Sequence, residues 1–122
     1  MHVTKDLVAA SATPMVLGIL VQGESYGYAI LKRVNEMSGG DLAWTDGLLY
    51  PLLHRLERLG HIESNWRTPA GGRRRKYYRI TDQGRAELAE QRRQWAAVVS
   101  ALKNIWQTTG DLPPAAAIPL EA

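Results

Sequence analysis

The sequence holds no cysteine, which excludes a disulfide framework and a thiolate metal site. It has no run of about 18 or more apolar residues, so no transmembrane helix is expected. The first twelve residues, MHVTKDLVAASA, lack the long apolar core of a signal peptide. These absences favour a cytoplasmic location. The histidines, His2, His54 and His61, show no metal-ligand spacing, and no cofactor is expected. There is no G-x-S-x-G elbow, because GESYG (23–27) only mimics its glycine spacing. Asp41, Asp46 and Glu57 form no recognisable carboxylate pair, so the sequence speaks against an enzyme.

The composition is that of one folded domain with a modest core. The chain has 122 residues, 45% of them hydrophobic and 22% charged. A net charge of +3 decides little, but its placement is uneven. From His54 to Arg79 there are eight basic residues and two acidic ones, Glu57 and Glu63. A basic stretch of this kind is a solvated surface unless the fold gathers it on one face.

The segment TDGLLYPLLHRLERLG (45–60) organises the chain. Leu49, Leu52, Leu53, Leu56 and Leu59 recur at helical spacing and predict a buried face. Thr45 and Asp46 suit the N-terminus of that helix, and Gly60 suits its end. Two strand-like runs follow, HIESNWRT (61–68) and RRRKYYRIT (73–81), joined by a PAGG turn (69–72). Alternation puts Ile62, Ser64 and Trp66 on one face of the first run, and Lys76, Tyr78 and Ile80 on one face of the second. Trp66 and Tyr78 read as sheet packing, whereas Tyr77 reads equally well as packing or as a DNA contact.

Upstream, residues 4–12 predict a short leading helix, and Thr13-Pro14 starts a second, nearly all-apolar helix that ends at Gly23. Ser25 would cap another helix over 26–37, with Tyr26, Ile30, Val34 and Met37 facing inward. Leu42, Ala43 and Trp44 are the candidates for a small third strand. Downstream, Thr81-Asp82 opens a long helix. Its stripe of Leu88, Trp95, Val98, Val99, Leu102, Ile105 and Trp106 needs a cover, most economically a second subunit.

Together these elements predict a mostly α fold with a small β-hairpin wing. A winged helix-turn-helix DNA-binding domain occupies 1–82, a C-terminal dimerisation helix 83–109, and an unstructured tail 110–122. The DNA-reading face is then Thr45, Asp46, Gly47, Leu48, Tyr50, Pro51, His54 and Arg55. Arg73, Arg74, Arg75, Lys76 and Tyr77 serve at the wing, and Lys32 and Arg33 add backbone contacts. The competing reading is a winged-helix module that holds a protein partner without specific DNA binding.

Three segments, LGILVQGESYGYAI (17–30), LYPLLHRLERLGHI (49–62) and GGRRRKYYRITDQGRAEL (71–88), together with Trp95, carry a resemblance to the PadR family of winged-helix transcriptional regulators. The resemblance spans about 14–106 and is closest to the short subfamily with one C-terminal helix. It implies a homodimeric repressor on a pseudo-palindromic operator, joined through that helix and the N-terminal one. Trp95 matches a tryptophan that, in multidrug-responsive members, stacks on planar aromatic effectors between subunits. Arg92 and Val99 would flank such a ligand. One departure is Leu48, where the family often carries serine or threonine. A hydroxyl contact is lost there, and only an apolar contact to a thymine methyl remains open.

Overall fold

In the computed structural model, which describes residues 1–109, the elements follow in the order α1 (Lys5–Val21), β1 (Ser25–Tyr26), α2 (Gly27–Met37), α3 (Asp46–Arg58), β2 (Ile62–Arg67), β3 (Arg75–Ile80) and α4 (Asp82–Thr109). The tail expected to be unstructured, 110–122, lies outside the described residues. Contacts divide the chain into two units after Leu88. The first runs from α1 into the opening turns of α4, and the second holds the rest of that helix.

The N-terminal helices differ from expectation. The leading helix and the one starting at Thr13-Pro14 are a single helix, α1, with Pro14 inside it. Thr4 caps it, its Oγ1 accepting the Leu7 N–H at 3.4 Å. An internal proline costs about 3 kcal/mol. Burial outweighs that cost, because Val8 and Ala12 before the proline and Val16, Leu17 and Leu20 after it all enter the core. Each large side chain so buried contributes about 1.5–3 kcal/mol.

The third strand is also not where the sequence suggested. Ser25 does not cap α2. With Tyr26 it forms β1, which pairs antiparallel with β3 as Ser25↔Tyr78 and Tyr26↔Tyr77. The sheet order is β1-β3-β2. Leu42–Trp44 remains a loop, because Asn35 anchors it: Asn35 Oδ1 accepts the Trp44 N–H at 2.9 Å and Asn35 Nδ2 donates to the Trp44 carbonyl at 3.1 Å. Met37 is 75% exposed rather than inward, and the inner face of α2 is Gly27, Ile30 and Val34.

The third helix and the hairpin keep closely to the pattern. Leu49, Leu52, Leu53 and Leu56 are buried, but Leu59 is 55% exposed because the helix ends at Arg58 and Gly60 turns away with φ +81°. Thr45 is the N-cap residue, although its side chain makes no capping bond. The β2–β3 register pairs Ile62↔Ile80, Ser64↔Tyr78 and Trp66↔Lys76, which are the expected face partners. Thr81 Oγ1 accepts the Gly84 N–H at 3.0 Å and donates to the Gly60 carbonyl at 2.6 Å. It thereby caps α4 and ties it to the end of α3. The three helices α1–α3, Trp44, Ile62, Tyr78 and Leu88 close one core, with Leu17, Ile30, Leu49, Leu53 and Leu56 at its centre.

Candidate nucleic-acid interface

Burying four leucines of α3 fixes which side of the helix faces outward. Thr45, Asp46, Gly47, Tyr50, Pro51, His54 and Arg55 are all exposed. Tyr50 and His54, four residues apart, stand one above the other on that side. Leu48 is half-buried and packs against the core, so it is the least accessible member of the expected reading face.

A cleft of about 500 Å³ lies between this helix and the wing. β1 contributes Tyr26, the start of α2 contributes Gly27 and Tyr28, and α3 contributes Tyr50 and His54. The hairpin closes it with Trp66, Arg74, Arg75, Lys76 and Tyr78. Close packing shapes its floor. A Cβ at Gly27 would lie 2.5 Å from the Tyr50 hydroxyl oxygen and 2.8 Å from its ring, so only glycine lets the tyrosine lie there.

Glu57, on the flank of α3, fastens the helix to both strands. It accepts the Ser64 hydroxyl at 2.5 Å and stands 3.5 Å from Lys76 Nζ. Tyr78, 4% exposed, sits beneath it. Burial, then the Glu57 charge and Tyr50, push its phenol above the ordinary tyrosine range. Because the folded value is raised, the phenol's contribution to stability is complete below the unfolded pKa of about 10 and is lost as pH rises towards the folded value. Tyr78→Phe is therefore expected to flatten the alkaline limb of stability. Urea midpoints at pH 8 and at pH 10.5 would check this, and an unchanged difference between them would refute it.

The cations sort into two groups. Arg67, at the tip end of β2, pairs with Glu24, while Lys76 pairs with Glu57 and Arg79 with Glu63 on the body of the sheet. Arg55 and Arg58 on α3 and Arg73, Arg74 and Arg75 at the wing tip have no acidic partner among the described residues. Positive charge is left uncompensated at the helix and the tip, and is neutralised between them. On α2, Lys32 is 3.8 Å from Glu36, and Arg33 donates to Gln22, so both expected backbone contacts already have intramolecular partners. Tyr77 is half-buried, with its ring 5.6 Å from that of Tyr26.

The sequence reading left Glu57, Tyr26, Tyr28 and Trp66 out of this interface. Trp66, expected to pack on the sheet, pairs there with Lys76 but is 54% exposed. Its alternation with Ile62 and Ser64 gave the right face but not the fact that the core ends before the strand does.

In the second unit, Trp95, Val99 and Leu102 are half-buried at four- and three-residue steps along α4. Val98 and Ile105 remain about half exposed, at 49% and 57%, and Trp106 and Arg92 are exposed. Leu88, expected on the same stripe, is 9% exposed and belongs to the core of the first unit. Arg93 holds the Glu90 carboxyl below its usual range through a side-chain hydrogen bond, with Gln94 adding a second. Among the described residues no helix is long and apolar enough to cross a membrane, and no group of three acids or histidines is placed to hold a metal.

The model of the transcriptional regulator PadR-like family matches residues 16–90, which takes in the end of α1, all of α2 and α3, the cleft, the wing and the start of α4. The chain belongs to that family. A PadR-like regulator from Bacillus cereus superposes with a TM-score of 0.74 at 30% identity, over 84% of this chain and 98% of that one. A transcriptional regulator from Clostridium thermocellum gives a TM-score of 0.75 at 27% identity, over 82% and 97%. A transcriptional regulator of Mycobacterium tuberculosis is 47% identical over 58 residues, which is 48% of this chain and 53% of that protein. The chain is accordingly a PadR-family transcriptional regulator with a winged-helix fold, and not an enzyme.

Proposed function

We propose that this PadR-family chain is a DNA-binding repressor that acts as a homodimer on a pseudo-palindromic operator. The observation that carries the reading is the sorting of charge between Arg55 and Arg79: the cations left there without acidic partners are those on α3 and at the tip end of the wing. In this reading α3 enters the major groove with Tyr50, His54 and Arg55 foremost, and the wing lies along the backbone. The half-exposed apolar stripe of α4 supports a second copy as its cover. A planar aromatic effector would lie between the two Trp95 side chains, near Arg92 and Val99. It would release the operator only by binding the DNA-incompetent dimer more tightly than the competent one.

The test is fluorescence anisotropy with labelled duplex from immediately upstream of the protein's own gene, set against a scrambled duplex at two salt concentrations. Contact with roughly six phosphates per dimer predicts a log K versus log salt slope of about −5. Weak, salt-insensitive binding to both duplexes would favour a protein-holding module instead. Trp95→Ala is expected to abolish any effector response or to break the dimer, and sedimentation separates the two. A dimer with an intact response would remove Trp95 from the reading.

A further inference from the structure

The wing cations do not stand free in solvent. The Arg74 guanidinium carbon lies 4.9 Å from the centre of the Trp66 ring, and that of Arg75 lies 4.4 Å from the centre of the Tyr26 ring. Both arginines lack an acidic partner among the described residues, and both line the cleft beside α3. Neighbouring cations also lie over rings, but they are engaged elsewhere. Lys76 sits over Tyr78 and faces Glu57, and Arg67 sits over Tyr77 and pairs with Glu24. Arg67 and Arg75 are register partners, a like-charge pairing that disfavours the sheet unless each charge finds its own seat.

A ring face attracts a guanidinium without using its in-plane N–H groups, which stay available to an anion. An acid in the same place would occupy those donors. Trp66, 54% exposed near the end of β2, lies outside the core, and its ring carries the Arg74 guanidinium. An arginine already confined to one seat loses less rotamer freedom when it binds than one that is free.

We propose that Trp66 and Tyr26 are positioning residues for DNA binding. Each ring holds one wing arginine, Arg74 or Arg75, with its N–H edge presented to a phosphodiester of the backbone. The rings themselves need not touch DNA. This rests on the DNA-binding reading above, and it adds that wing affinity depends on aromatic seats as well as on charge.

The test compares Trp66→Leu, Trp66→Phe, Arg74→Ala and the Trp66→Leu/Arg74→Ala double variant on the duplex that the wild type binds. Trp66→Leu is expected to lose about tenfold in affinity per dimer, with the salt slope unchanged because Arg74 still reaches its phosphate at greater entropic cost. Phenylalanine, which keeps a ring, restores most of the loss. In the Arg74→Ala background, Trp66→Leu costs nothing further. Thermal melts, expected to be unchanged, show that the variants are folded. Wild-type affinity in Trp66→Leu, or an equal tenfold loss in the Arg74→Ala background, overturns the inference and leaves the DNA reading standing; the second result would mean that Trp66 touches DNA directly. Failure of the wild type to bind any duplex overturns both.

Discussion

Replacing Arg73, Arg74 and Arg75 together with alanine is expected to lower affinity for every duplex by about a hundredfold or more, operator and scrambled DNA alike, while the melting temperature stays within a few degrees. All three side chains are exposed and have no acidic partner among the described residues, so their removal breaks no ion pair. The turn before them is closed by backbone alone. The Gly72 N–H donates to the Pro69 carbonyl at 2.9 Å, and Gly71 takes φ +72°, neither of which needs an arginine. Alanine at 75 also removes the like-charge pairing with Arg67. For binding the account is different. In the proposed dimer six cations would be lost, and each phosphate left uncontacted makes the salt slope shallower by about 0.9, so the slope should flatten in proportion to the wing's share of the contacts. A loss confined to the operator would mean that the arginines read bases rather than phosphates. An unchanged slope would take the wing off the DNA altogether.

That experiment tests a site that was partly legible in the sequence. The four buried leucines of α3, the glycine stop and the hairpin register follow from spacing alone, because burial on one face enforces a period of 3.6 or of 2. The basic tip was legible as composition. Three features were not. β1 has two residues, too few to show any period, and it exists only because the edge of β3 offers it partners. Pro14 reads locally as a helix start, and only burial on both sides of it keeps one helix continuous. The cleft joins Tyr26, Tyr50 and Trp66 from three separate elements, and no local pattern brings them together. What sequence spacing does not contain is where the core stops. That boundary decides why Trp66 and Met37 are outside, and why Leu88 is inside.

Gly84→Ala is expected to destabilise the first unit by about 1–2 kcal/mol, against the direction that helix propensity dictates. Gly84 lies in the first turn of α4, where alanine would ordinarily gain up to about 1 kcal/mol over glycine. Its backbone is not in the left-handed region, so conformation raises no objection. Packing does. A Cβ at 84 would fall 2.0 Å from the His61 carbonyl oxygen and 2.7 Å from Ile80 Cγ1. The carbonyl cannot swing aside without cost, since it accepts the Thr81 N–H at 3.0 Å just before β2 begins. Ile80 is no freer, being paired with Ile62 and packed against the core. Helix and sheet must then separate by more than an ångström, and overpacking of this kind costs about 1–3 kcal/mol and sometimes more. The steric cost exceeds the propensity gain, and the Thr81 cap, whose Oγ1 holds both the Gly84 N–H and the Gly60 carbonyl, is strained along with it. For a unit of this size the melting temperature should fall by about 5–10 °C. Ala86→Gly, at an exposed position on the same helix, supplies the control. There glycine should lower stability by about 1 kcal/mol through propensity alone. If alanine at 84 instead raises the melting temperature, the close approach of α4 to the His61 carbonyl does not hold in solution.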